Sequence, residues 1–370
     1  MTINIDWTSE ETHVLFNPRL PHKELEIIRR YELKLNSYKG MIWVMTSGVT
    51  QTQKSLKFVG LTKRAFLCSA QGVVKHLSIN SHDRILNPLP LFHVGGLGTM
   101  ARAYISGCQI FHQEEWRLEE FVRQLTEKQI TITSLVPTHV YDIVERQISS
   151  PSSLRIAVVG GGAISSQLVE AAKQLGWPIC PSYGLTEASS QVATAIPNKN
   201  ELILLPHMQA KVNEEGFISL KSTSLLDLYA YLSETDVNFM DPKQEGWLIT
   251  EDRGIIEGSI VKIKGRNSDF VKIGGENVIL PILQSKFNDV RMRLGYLQEG
   301  VIIAVPNQRI GHEIQLIVEG EKSDQLEKVL KKFHDLVSPY EKIRAIHFVP
   351  NLPKSPLGKV LLGQLKQLIG

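Results

Sequence analysis

Apolar residues along this chain fall into two alternating patterns: short β-branched runs, and longer stretches in which they recur about every 3.6 positions. The first suits buried strands and the second suits helices packed on one face. Between Gly40 and Pro206 the two alternate. Residues 41–45 read as a strand, 62–77 as a helix, 131–136 as a strand stopped by Pro137, and 154–159 as a buried strand running into Gly160, Gly161 and Gly162. Residues 165–175 carry apolar side chains at helical spacing and should stop at Gly176 in a left-handed cap. Strand, tight turn and helix in that order form the unit of an α/β sheet layered with helices.

From 210 to 263 the runs shorten, with Gly216 and Gly246 as turn markers, which predicts a small β-rich subdomain. Past Ser268 the character changes. Strands are expected at 301–305, 314–318 and 343–349, around a helix whose face carries Leu326, Val329, Leu330, Phe333 and Leu336. The expected organisation is a large N-terminal α/β domain, residues 1–267, followed by a small α+β domain, 268–370, big enough for a core of its own. After an extended run at 345–349, Leu352-Pro353-Lys354-Ser355-Pro356-Leu357-Gly358-Lys359 forms a proline-stiffened, glycine-tipped loop before a terminal helix at 360–369. Such a loop can carry the Lys359 cation into a distant site, although a plain surface turn would use the same residues.

Composition narrows the function classes. A length of 370 residues suggests two domains, and 42% hydrophobic content is ordinary for a globular protein. Forty-one basic against 38 acidic residues leave a net charge of +3, with no basic run interleaved with aromatics, so no nucleic-acid partner is expected. Cys68, Cys108 and Cys180 lack paired spacing and read as reduced core residues rather than disulfide or zinc ligands. No basic segment followed by an apolar one opens the chain, and no apolar run reaches membrane-spanning length, which makes the cytoplasm the expected compartment. A homo-oligomer stays open.

The remaining polar motifs each admit two readings. Thr46-Ser47-Gly48-Val49-Thr50-Gln51-Thr52-Gln53-Lys54 follows a strand and gathers hydroxyls, a glycine turn and a cation, which suits a polyphosphate or an ordinary polar connection. Tyr183-Gly184-Leu185-Thr186-Glu187 should sit at a strand end, where open α/β sheets bind ligands. Glu187 could hold Mg²⁺ beside phosphates, or serve as an acid at a helix N-terminus. Asp252 could accept from both hydroxyls of a ribose or close a turn, and Arg266 could meet a phosphate or sugar oxygen or form a surface ion pair. Gly160, Gly161 and Gly162 allow a planar base to approach the backbone, or relieve a crowded turn. His93, in Pro90-Leu91-Phe92-His93-Val94-Gly95-Gly96, suits a substrate pocket or a buried structural role.

In order, these motifs resemble the adenylate-forming, AMP-binding superfamily of acyl-CoA synthetases, and within it most closely the 2-succinylbenzoate-CoA ligases of menaquinone biosynthesis. The resemblance runs from about Met41 to the C-terminus, through the Thr46 loop, residues 183–187, 246–252, 265–269 and 353–359. The narrower likeness rests on residues 88–97, on Gly160-Gly161-Gly162-Ala163, on 183–192, and on Arg266-Asn267-Ser268-Asp269 leading to Gly274-Gly275-Glu276-Asn277. It implies a large N-terminal domain, a small mobile C-terminal domain and a hinge at Ser268. ATP, Mg²⁺ and the co-substrate CoA would be used to activate a small carboxylic acid. Lys359, Thr186 and Glu187 would be catalytic, with Glu187 also the metal ligand. Thr46, Ser47, Gly48, Thr50, Lys54, Gly161, Gly162, Tyr183, Asp252 and Arg266 would hold the nucleotide, and His93 and Gly160 the acyl group.

Three features depart from the family pattern. Gln51 and Gln53 stand where a second glycine and a proline are usual, Thr250-Glu251-Asp252 replaces Thr-Gly-Asp, and 45 residues precede the loop, fewer than is typical. A ligase or acyl-AMP synthetase for another aromatic or fatty acid, or a catalytically impaired homologue that binds nucleotide or acyl ligand, therefore stays beside the main expectation.

Overall fold

Strands that are apolar along their whole length, such as the Ile-Ala-Val-Val of Ile156–Val159, form where both faces of a parallel sheet are covered. The computed structural model, which describes residues 5–46, 55–197, 199–355 and 360–367, contains such a sheet. Gln109–His112, Arg84–Asn87, Ile132–Leu135, Ile156–Val159 and Ile179–Leu185 lie side by side in that order, all parallel. Ser190–Thr194 and then Leu202–Leu204 extend it antiparallel. Ile260–Arg266, Leu248–Glu257, Phe217–Lys221 and Gln209–Val212 complete the eleven-stranded order.

A second sheet has the order His13–Leu15, Met41–Met45, Leu56–Thr62, Leu228–Leu232, Val237–Met240. The β-rich stretch 210–263 is thus shared out: its middle hairpin joins this sheet and its other strands join the large one. Trp43, Phe58, Ala230 and Leu232 pack with Ile27, Ile28, Tyr31 and Leu35 of the helix His22–Asn36, and Trp43 Nε1 donates to the Leu35 carbonyl at 3.0 Å.

The helix Lys63–His76 shows why the local sequence folds as it does. Thr62 Oγ1 accepts the Ala65 N–H at 3.0 Å as an N-cap, and Lys75 and His76 occupy the last turn, where the helix dipole favours positive charge. Lys63, 4% exposed, donates from Nζ to the Asp6 carbonyl, the Ser9 carbonyl and Ser9 Oγ at 2.7, 3.0 and 2.8 Å. A buried ammonium is tolerable there because all three of its protons are used.

The chain divides into two compact units, one of Met1–Gly162, Ala171–Thr250 and Ile255–Lys262, the other of Ala163–Glu170, Glu251–Gly254 and Ile263–Gly370. The second unit has its own sheet, ordered Glu276–Ile279, Phe270–Ile273, Gly311–Glu319, Gly300–Asn307, with Ile343–Val349 parallel to Gly311–Glu319. Its core joins Leu283 and Phe287 of the helix Leu280–Arg293 to Val329 and Phe333 of the helix Asp324–His334. The Phe287 and Phe333 rings meet edge to face, 5.9 Å apart at 80°. Leu336, expected on the apolar face of the second helix, lies past its end and is 50% exposed. Its spacing continued the helical period, but the hydrogen-bonded helix stops at His334, before the turn Pro339–Glu341. The terminal helix appears as Leu362–Gln367.

His139, in the helix Pro137–Glu145, stacks on Trp116 with ring centroids 3.7 Å apart and planes 7° from parallel. Burial pushes its pKa down to about 3, so the folded state holds it neutral at pH values where the unfolded chain, with a pKa near about 6.5, takes up a proton. Stability must then fall as pH drops from about 6.5 toward 3, because the unfolded state binds more protons. His93 and His207, each lowered to about 4 by burial, act in the same sense. His139→Phe, which keeps the stack and removes the titration, is expected to lose stability less steeply than the parent between about pH 6.5 and 4. Denaturant midpoints across that range check it, and identical slopes would contradict it.

Candidate functional site

Parallel strands end together, and here their carboxyl ends gather the motifs. Arg84–Asn87 leads through Pro88 to His93 and the helix Val94–Ser106. Ile156–Val159 leads into Gly160, Gly161 and Gly162, and Ile179–Leu185 into the single turn Thr186–Ala188. Gly161 has a positive φ of 80°, and a Cβ on it would lie 3.3 Å from Val136 Cγ1, so the turn hugs the neighbouring strand end. Gly184 has a different cause: a Cβ there would come within 1.9 Å of the Ser190 carbonyl oxygen, at an irregularity in the pairing of Ile179–Leu185 with Ser190–Thr194. Tyr183, next to it, is in register with Ala193.

Glu187 is held from two sides. Lys57 Nζ lies 3.2 Å from Oε1 and the Tyr229 hydroxyl donates to the same oxygen at 3.1 Å. Lys57 also sits over the Tyr229 ring, 3.8 Å from its centroid. The backbone closes the group, since the Glu187 carbonyl accepts from Leu226 N–H at 2.8 Å and Thr46 N–H donates to the Lys57 carbonyl at 3.0 Å. Thr46 therefore stands beside the Glu187 cluster, and its buried Oγ1 has no hydrogen-bond partner among the described residues. Among those residues no group of three or more His, Cys, Asp or Glu side chains could ligate a metal. A single carboxylate with an idle hydroxyl nearby fits magnesium, which usually takes one or two carboxylates and completes its shell with phosphate and water oxygens.

His93 occupies the N-cap position of its helix, with its backbone N–H bonded to the Pro90 carbonyl at 3.2 Å and its ring 4.7 Å from that of Phe92. Its buried Nε2 lacks a partner among the described residues, and burial lowers its pKa to about 4. A neutral imidazole with an idle nitrogen can donate to or accept from a ligand. Gly160 and Gly162 flank Gly161 on the adjacent loop, where a Cβ would lie 3.8 Å from Ser182 and 3.7 Å from Pro137 respectively.

Asp252 and Arg266 belong to the second compact unit, where they are paired: Arg266 Nε is 3.3 Å from Asp252 Oδ1, with the aspartate side chain 9% exposed. The Arg266 backbone N–H donates to Asp269 Oδ2 at 2.7 Å, closing the turn Asn267–Asp269 that contains Ser268. Ser47, Gly48, Thr50, Lys54 and Lys359 lie outside the described residues.

Three residues of this region escaped the sequence motifs. Lys57 and Tyr229 meet Glu187 only through sheet pairing between distant segments. Arg102 had a signal, being the one charged residue of Val94–Ser106. It is 4% exposed, and its Nη2 donates to Thr99 Oγ1 at 2.6 Å and Ser134 Oγ at 3.1 Å. Burial lowers its pKa to about 10, which leaves it charged at neutral pH, and no carboxylate pairs with it among the described residues.

Comparison with known proteins agrees with this construction. Residues 41–216 match the family model described as AMP-binding enzyme. The 2-succinylbenzoate–CoA ligase of Oceanobacillus iheyensis is 28% identical over 93% of this chain and 74% of its own length. That of Listeria monocytogenes is 29% identical over 87% of this chain and 68% of its own. Among solved structures, the o-succinylbenzoate CoA synthetase of Bacillus subtilis in complex with its acyl-adenylate intermediate superposes with a TM-score of 0.80 at 22% identity, covering 96% of this chain and 83% of that one. The same enzyme in complex with ATP and magnesium ion gives 0.73 at 22% identity, over 88% and 69%. A sheet with its motifs at the carboxyl edge, a family model over residues 41–216 and relatives of one kind agree in making this chain similar to AMP-binding enzymes.

Proposed function

We propose that this protein is an ATP-dependent, AMP-forming acid–thiol ligase that joins 2-succinylbenzoate to CoA by way of an acyl adenylate. The observation that carries this is the carboxyl-edge constellation itself, with Glu187, His93 and the Gly160 to Gly162 turn on loops of one sheet and Thr46 at the end of a strand of the second, in a chain whose relatives bear that ligase name. A free carboxylate is a poor electrophile. Its oxygen first attacks the α-phosphorus of ATP, releasing pyrophosphate, and the thiol of CoA then displaces AMP.

Thr46, Ser47, Gly48, Thr50 and Lys54 surround the β and γ phosphates, and Thr186, Tyr183, Gly161, Gly162, Asp252 and Arg266 fix the AMP moiety. Glu187 holds the magnesium ion, which neutralises charge on the phosphate oxygens. His93 and Gly160 line the acyl site with a neutral donor and bare backbone. The positive field of Arg102 favours an acid that carries a second negative charge, as 2-succinylbenzoate does. Lys359 contacts the α-phosphate and the reacting carboxylate during the first step, and it must withdraw before the thiol enters. Ser268, between the domains 1–267 and 268–370, is the hinge for that rotation.

CoA thioester formation, followed by mass spectrometry with a panel of acids, is expected to be fastest with 2-succinylbenzoate. Faster turnover of a benzoate or a fatty acid would overturn the acyl assignment and leave the reaction class standing. Assaying the half-reactions separately tests the moving domain. Lys359→Ala is expected to slow adenylate formation by at least ~100-fold, as for loss of one transition-state donor, while thioester formation from supplied acyl adenylate continues. Ser268→Pro, with φ held near about −65°, is expected to do the reverse. If each substitution damages both halves equally, the site is static.

A further inference from the structure

The cation facing Glu187 has no place in the mechanism above. Lys57 lies on Leu56–Thr62, and Tyr229 reaches it from the neighbouring strand Leu228–Leu232. Lys57 and Glu187 side chains are 19% and 17% exposed, so their attraction is weakly screened compared with a surface pair. Both Lys57 Nζ and the Tyr229 hydroxyl go to Oε1, and the described residues offer Oε2 no donor. The ammonium is further fixed over the Tyr229 ring. Glu187 thus has one oxygen committed to protein donors and one directed elsewhere.

A divalent ion bound through Oε2 would lie within a few ångströms of the Lys57 ammonium, and two cations on one carboxylate repel. The repulsion disappears when polyphosphate arrives with the metal, because its oxygens can accept both positive charges. Lys57 is placed for that, since its carbonyl is bonded to Thr46 N–H at the start of the phosphate loop. We propose that Lys57 is a tethered counter-cation of Glu187, which neutralises the carboxylate in the nucleotide-free protein and transfers to a phosphate oxygen when magnesium and ATP bind together. Free metal is thereby disfavoured and the metal–nucleotide complex favoured. This rests on the assignment of Glu187 as the magnesium ligand.

Binding measurements separate the two ideas. Mn²⁺ affinity of the nucleotide-free full chain is read by electron paramagnetic resonance, and MgATP affinity by calorimetry, for the parent and for Lys57→Gln, Lys57→Met and Lys57→Arg. The two neutral variants are expected to bind free Mn²⁺ at least ~10-fold more tightly, because a competing charge has been removed, and MgATP about 10-fold more weakly, because a charge-assisted hydrogen bond is lost. Lys57→Arg should keep both values near those of the parent. If the parent binds MgATP and the folded neutral variants show unchanged Mn²⁺ or MgATP affinity, the role of Lys57 is refuted while Glu187 stays in place. If the parent binds no MgATP, the proposed function falls and this role falls with it.

Discussion

Parallel strands cannot be joined by tight hairpins. Each of the central sheet's five parallel strands must be left at its carboxyl end and the next parallel one entered from the opposite end, so a crossover of a dozen or more residues separates them. That constraint decides where chemistry can sit in this protein. Every connection after Arg84–Asn87, Ile132–Leu135, Ile156–Val159 and Ile179–Leu185 starts on the same edge. Residues separated by nearly a hundred positions in sequence, His93 and Glu187 among them, come to lie on loops of one edge because backbone pairing leaves them no other. Burial of the strands on both faces then makes the edge rigid, with Ile156, Ala157, Val158 and Val159 all within the core.

The edge is also where the protein keeps charge out of water. The Glu187–Lys57 pair and the Arg102 guanidinium are each bought at a desolvation cost, offset by hydrogen bonds to Tyr229, Thr99 and Ser134. A carboxylate with one oxygen uncommitted, a cation with no carboxylate partner among the described residues and an imidazole kept neutral by burial give three distinct electrostatic characters within one α/β unit. Two successive reactions of a carboxylate, first with a phosphorus centre and then with a thiol, require charge stabilisation of that kind in a water-poor site.

How much of this was legible in the sequence depends on range. Met41–Met45 and Ile343–Val349 coincide with their apolar runs because a short β-branched segment states its own preference. Leu336 was misplaced because a periodic pattern does not show where the hydrogen bonds of a helix stop. The division of residues 210–263 between two sheets could not be read at all, since Leu228–Leu232 finds its partner in Leu56–Thr62, far back along the chain. The candidate site follows the same rule. Glu187 and His93 stand out within local motifs, whereas Lys57 and Tyr229 acquire meaning only once that strand pairing brings them to Glu187. An ion pair is one of the two readings that the sequence allows Arg266, but nothing local names Asp252 as its partner.

In the proposed reaction the carboxyl edge activates a carboxylate as its adenylate before any thiol is involved. Exchange of labelled pyrophosphate into ATP, measured without CoA, tests it most directly. Exchange is expected to require both magnesium and the acid, with 2-succinylbenzoate supporting it best. Protein that binds MgATP and the acid but returns no label to ATP would contradict it.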